Sequence, residues 1–306
     1  MGYEKFKTEI VKALSGFYGG NTEVELVEAL RNNGKRRDAV RICVDGEDSS
    51  AVPAIYLEGF FRMYDAGDMD MEGCVKGITE LRAASVCSPQ IAQFSHGLLS
   101  WDAVREKVYP MLLSSQENRE MLEKLVSRSL LDLSVIYIIR ETADGGNSCS
   151  VKITRGMMEA YGISEGQLYR QAMRNLKGDG YRFFEIGAYI QDRINSGGNR
   201  DELEQRNVDG LEDGEMYILR NASGLYGAAG ILNGELIQNT VKGHDCFILP
   251  SSIHETIFLP VSDDQNQREL DGMVAEINRM CVDEEERLAD HSYYYDARAG
   301  EIRICA

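Results

Sequence analysis

The stretch FILPSSIHETIFLP, Phe247 to Pro260, decides the reading of this chain. Two continuous apolar runs, each strand-sized, flank a short polar turn. Runs of four to eight apolar residues bounded by turn signals read as buried strands rather than as helices, which need ten residues or more. Strands are therefore expected at Cys246–Leu249 and Thr256–Pro260. The turn between them carries Ser252-Ile253-His254-Glu255, a match to the S-x-x-E capping box, in which Ser and Glu satisfy orphan backbone amides at a helix start.

Outward from this pair, strands are expected at Met216–Arg220, Tyr293–Asp296 and Glu301–Cys305. Ala297–Gly300 closes a terminal hairpin. An amphipathic helix lies between, with Leu270, Met273, Val274, Ile277 and Cys281 on its apolar side and Asp264 as its expected cap. Upstream, Leu131–Arg140 and Cys149–Ile153 form a strand and its return. Ser164 and Gln167 form a capping box ahead of Leu168, Ala172 and Leu176, spaced by four. Residues 195–215 read as an exposed excursion.

The first half has a different character. Phe6, Ile10, Leu14 and Phe17 share one helical face, ended by Gly19-Gly20. Thr22–Ala29 and Asp38–Val44 flank Asn33-Gly34, a hairpin signal because both residues tolerate positive φ. Helices are expected around Phe60–Tyr64, over Met71–Leu81, from Ser100 through Val104, Val108, Met111 and Leu112, and at Met121–Leu125. Hairpins in series with intervening helices, and no regular βαβ alternation, give an α+β class: a mixed, mostly helical N-terminal half and a C-terminal antiparallel sheet with helices packed on it. At roughly 100–200 residues per domain, the 306 residues divide into a mixed domain over 1–127 and an α+β domain over 128–306.

Composition narrows the function classes. Thirty-three Lys and Arg against 50 Asp and Glu give a net charge of −17, which repels nucleic acid and anionic membranes at long range. Nucleic acid is not expected as a direct ligand; another protein, met through the acidic surface, is. A homo-oligomer is compatible with the sequence. No run of 18 apolar residues exists, and Glu4, Lys5, Lys7 and Glu9 interrupt any signal-peptide core. Seven scattered cysteines with no C-x-x-C spacing suggest reduced thiols. A cytoplasmic protein without disulfides, cofactor or metal is the expectation.

Four histidines limit any imidazole chemistry to His96, His244, His254 and His291. His244-Asp245 and His254-Glu255 flank a strand, and imidazole beside carboxylate suits acid–base work or a metal. If the chain is an enzyme, Ser252, His254 and Glu255 are its candidate catalytic residues, against the capping role given above. The segment Gly224-Leu-Tyr-Gly227-Ala-Ala-Gly230 suits either a phosphate cradle or close packing. Asp68–Gly73 resembles an EF-hand opening but lacks the bidentate Glu at its twelfth position, Thr79, and reads better as an acidic helix start. Arg31 and Lys35–Arg37 form a basic cluster at the hairpin tip, best read as a solvated turn.

The segments MYILRNASGLYGAAGIL (Met216–Leu232), FILPSSIHE (Phe247–Glu255) and SYYYDARAGEIRI (Ser292–Ile304), with AIYLEGFFRMYDAG (Ala54–Gly67) near the start, resemble the uncharacterised bacterial family called domain of unknown function 5688. The resemblance covers nearly the whole chain. It implies a cytoplasmic accessory protein of anaerobic Gram-positive bacteria, often carried within mobile elements, and brings no catalytic residues with it. The function expected is a non-enzymatic interaction or accessory protein of a mobile element, a regulator or inhibitor of a host system. The alternative is a hydrolase or transferase with its site around Ser252, His254 and Glu255.

Overall fold

The computed structural model describes residues 1–45, 52, 54–86, 98, 100–142, 148–195, 208, 210–250, 252–262 and 265–304. The chain is α+β, with antiparallel sheets and helices throughout. It divides into two compact units, residues 1–103 with 142–149 and residues 104–141 with 150–306.

In the first unit, helix α1 (Tyr3–Tyr18) is followed by strands β1 (Thr22–Leu30), β2 (Arg36–Val44) and β3 (Ile55–Tyr56), then helices α2 (Glu58–Ala66), α3 (Met71–Val86) and α4 (Trp101–Val104). The β1–β2 hairpin turns where expected, with Asn33 at φ 56° and Gly34 at φ 66°. Phe6, Ile10 and Leu14 of α1 pack on Val40 and Ile42 of β2, with Leu57, Phe60, Cys74 and Ile78 closing the core. Phe17, expected on the same face, is 64% exposed in the last turn of α1. α3 begins where Asp70 accepts a hydrogen bond from Gly73 N–H at 2.7 Å, so the acidic run starts a helix. The basic hairpin tip is not simply solvated. Arg31 bonds the Tyr56 hydroxyl, Arg36 pairs with Glu28, and Arg31 and Arg37 lie over the Tyr56 ring.

The second unit opens with β4 (Val108–Ser114), short α5 (Arg119–Leu122), β5 (Ser127–Leu130), β6 (Leu133–Thr142) and β7 (Ser148–Lys152). These strands make one sheet, in which β4 and β5 flank β6 and β7 also pairs with β6. The helix expected through Val104–Leu112 is thus a strand from Val108 onward. Its cause is Pro110, which lacks the amide a helix interior requires and would cost ~3 kcal/mol there. β4 ends its row of strands, the position that tolerates proline. The boundary expected at residues 127/128 falls inside β5 of this sheet.

The remaining elements are α6 (Arg155–Ala160), α7 (Glu165–Lys177), β8 (Arg182–Glu185), α8 (Ile186–Asn195), β9 (Tyr217–Arg220), α9 (Gly234–Val241), β10 (Cys246–Leu249), β11 (Thr256–Pro260), α10 (Gln267–Cys281), β12 (Tyr293–Asp296) and β13 (Glu301–Ile304). The Ser164–Gln167 capping box is formed in full ahead of α7. Six strands align as β13-β12-β10-β11-β9-β8, all neighbours antiparallel. β10 and β11 sit at its centre, Cys246 opposite Pro260 and Leu249 opposite Ile257. All four residues of β10 are buried, as a continuous apolar run in a central strand requires. α10 covers one face of this sheet through Leu270 and Val274, against Phe247, Leu249 and Leu259. Its observed cap is Asn266, whose side chain accepts from Arg268 N–H at 3.0 Å; Asp264 lies outside the described residues.

Candidate functional site

The glycine-rich segment after β9 and the turn between β10 and β11 meet at one place. Asn221–Tyr226 forms a loop that leads into a tight 3-10 turn, Gly227–Leu232. Below the loop lies a buried ion pair. Arg140, near the end of β6, donates to Asp179, and the two side chains are 7% and 10% exposed. Arg140 Nη1 also reaches Ser223 Oγ and the Leu225 carbonyl, each at 3.3 Å, and its guanidinium lies 4.1 Å from the Tyr109 ring centre. Asn221 Nδ2 donates to Asp179 Oδ2 at 2.7 Å and to Leu225 O at 3.0 Å. A buried pair survives only when its remaining hydrogen-bonding capacity is met. Here the loop backbone and its Asn and Ser meet it, so charge burial and loop shape depend on each other.

The loop then turns against His254. Tyr226 has φ 57°, the left-handed region, and its N–H donates to His254 Nδ1 at 3.2 Å. The Tyr226 ring stacks on the imidazole at 5.7 Å, and its hydroxyl lies 3.0 Å from Ser150 Oγ. On the other side of the ring, Nε2 stands 3.2 Å from Glu286 Oε1. Because Nδ1 accepts, the neutral imidazole carries its proton on Nε2, the nitrogen that lies beside the Glu286 carboxylate. Both nitrogens are engaged. The imidazole is a strut joining the glycine-rich loop to the segment after α10.

Glycine is required at the contact. A Cβ on Gly227 would stand 2.4 Å from the His254 carbonyl oxygen, and one on Gly230 would stand 2.6 Å from the Tyr181 ring. Ala228 and Ala229 are fully buried. The small residues serve close packing, which accounts for them without a phosphate.

The sequence-derived candidates are partly gathered. Ser252 and His254 are joined, but Ser252 Oγ accepts from His254 N–H at 2.9 Å and Ser252 bridges to Arg287 across the turn. No helix follows, so the S-x-x-E pattern here makes a bend and not a capping box. Glu255 is half-buried just before β11, and the carboxylate on Nε2 belongs to Glu286. His244 lies past the opposite end of β10, paired at 3.4 Å with exposed Asp213. Asp245 accepts from Tyr294 OH at 2.6 Å and Ala297 N–H at 2.8 Å, which hold its carboxyl below the usual carboxylate range. His291 faces Asp132, which also accepts from Tyr293 OH. His96 and Ser251 lie outside the described residues. Among the described residues, no three His, Cys, Asp or Glu side chains converge as metal ligands, and no helix is long and apolar enough to cross a membrane.

A second feature lies on α10. Sequence periodicity puts Met273 and Ile277 on the same side as Leu270 and Val274. In the structure that side is wider than the surface it covers. Leu270 and Val274 are buried, whereas Met273, Ile277 and Met280 are 50%, 45% and 70% exposed. These three fall at i, i+4 and i+7, one continuous stripe at helical spacing. Exposed Cys281 borders it.

Comparison with curated proteins and with solved structures finds no match. The model of the family of unknown function DUF5688 matches residues 3–297, and the chain belongs to that family.

Proposed function

We propose that this chain is a non-enzymatic interaction protein, an accessory component of a bacterial mobile element that binds another protein through the outer face of α10. The observation that carries the reading is the stripe Met273–Ile277–Met280, exposed on a helix whose Leu270 and Val274 are the residues packed against the sheet. Unbranched methionines adapt to differing partner surfaces at little cost. The engagement of both His254 nitrogens supports the non-catalytic side, because a general base needs a free lone pair facing its substrate. The mobile-element setting and the role as regulator or inhibitor of a host system rest on the family resemblance of Met216–Leu232, Phe247–Glu255 and Ser292–Ile304.

The test compares the native protein with a Met273→Ser, Ile277→Ser, Met280→Ser variant, each immobilised and exposed to a lysate of the native cell. The reading expects a defined protein retained by the native chain and lost from the variant. Identical retention by both would refute it.

A further inference from the structure

We infer that the partner of α10 presents a basic amphipathic helix, an apolar stripe with Lys or Arg recurring at seven-residue intervals beside it. This rests on the binding role given above and adds the partner's chemistry. The ground is the charge that borders the stripe. Glu269 and Glu276, both exposed, lie seven residues apart on α10 and run along the side of the stripe away from the sheet. Asp283, also exposed, follows seven residues later, just beyond the helix end. At 3.6 residues per turn, Arg268 and Arg279 lie about 120–140° round the helix from Met273, on the far side. Of the charged side chains of α10, carboxylates alone therefore border the open side of the stripe. The last carbonyls of α10 add negative potential at the same end as Asp283.

A second copy of this chain fits that edge poorly. Antiparallel pairing of two stripes sets each Glu269–Glu276 column against the other copy's. Parallel pairing sets the carboxylates over apolar side chains. Each copy carries a net charge of −17. An anionic lipid surface is repelled for the same reason. A helix with cations in register satisfies both parts of the face, its apolar residues on Met273, Ile277 and Met280 and its cations on the carboxylates.

The probe is a synthetic, end-capped 16-residue helical peptide with leucines at i, i+4, i+7 and i+11 and lysines at seven-residue spacing beside them. Its twin carries glutamate at every lysine. Each is titrated into full-length protein labelled with 13C at the methionine methyls, and the Met273 and Met280 signals are followed. The lysine peptide is expected to shift both signals. Its binding weakens about tenfold or more in Glu269→Lys/Glu276→Lys and in Ile277→Ser, which keep both methionine reporters, the loss of a hot-spot contact, and weakens with added salt. The glutamate peptide shifts neither. Equal binding of the two peptides, or failure of the lysine peptide to move either methyl, overturns the basic partner. Lysate retention through α10 then still stands by itself, whereas retention indifferent to the α10 variant removes the binding role.

Discussion

Removing Arg140 should unfold the region around the glycine-rich loop, and the size of the effect follows from the geometry. Arg140→Met keeps the length of the side chain and deletes the guanidinium. Asp179, 10% exposed, is then left with a buried carboxylate supported, among the described residues, only by Asn221 Nδ2 at 2.7 Å. The bonds to Ser223 Oγ and Leu225 O go with it. Breaking one half of a buried pair costs about 3–5 kcal/mol, most of it the uncompensated charge. Asp179→Asn strands the guanidinium in the same way, although Tyr109 retains part of its stabilisation. The double variant leaves no buried charge, so its cost should fall well short of the sum, with a coupling of about 2 kcal/mol or more. The two units need not unfold together. The assay is therefore hydrogen exchange read by mass spectrometry in rising denaturant, on peptides covering residues 133–141 and 217–232. Single variants costing under about 1 kcal/mol, or single costs that simply add, would show that the pair does not hold the loop.

Three further outcomes concern the same unit. Gly227→Ala places a methyl 2.4 Å from a backbone oxygen, and should lower stability by roughly 2–4 kcal/mol in thermal melts; an unchanged melting point would mean that the His254 carbonyl moves freely. Nitrogen-15 NMR of the imidazoles should show His254 protonated at Nε2 and bare at Nδ1 in the neutral state; the opposite tautomer would contradict the strut geometry. The Tyr294 hydroxyl and then the Ala297 amide lower the Asp245 pKa in the folded state. Its contribution to stability is therefore complete above the unfolded value of about 3.9 and is lost as pH falls through the lower folded value. The stability gap between the native chain and Asp245→Asn should be widest near neutral pH and close as pH falls below about 4; a gap that widens in acid would reverse the assignment.

What the sequence makes legible is local. The β10–β11 pair shows as two apolar runs around a turn, and the Asn33-Gly34 hairpin and the Ser164–Gln167 box each sit within four residues of chain. Val108, Met111 and Leu112 match helical spacing, yet they belong to a strand buried on both faces, in which period loses its meaning. Pro110 was the signal for it. The contacts that build the site span longer separations: Arg140 to Asp179 by 39 residues, and Tyr226 to His254 by 28. No local pattern encodes such pairs. Adjacency in sequence points to Glu255, whereas the carboxylate beside His254 Nε2 is that of Glu286, 32 residues along the chain. On α10 the apolar residues were all visible, and their division into a buried pair and an outward stripe depends on how much sheet lies beneath.

The most direct test of α10 as a binding face is site-specific photocrosslinking in the native cell. A benzophenone amino acid replaces exposed Met280, and in a control it replaces Glu9 on α1, whose side chain is 41% exposed. A discrete adduct to a second protein from position 280, absent from position 9 and lost in Glu269→Lys/Glu276→Lys, is the result predicted. No adduct from position 280, or the same adducts from both positions, would contradict it.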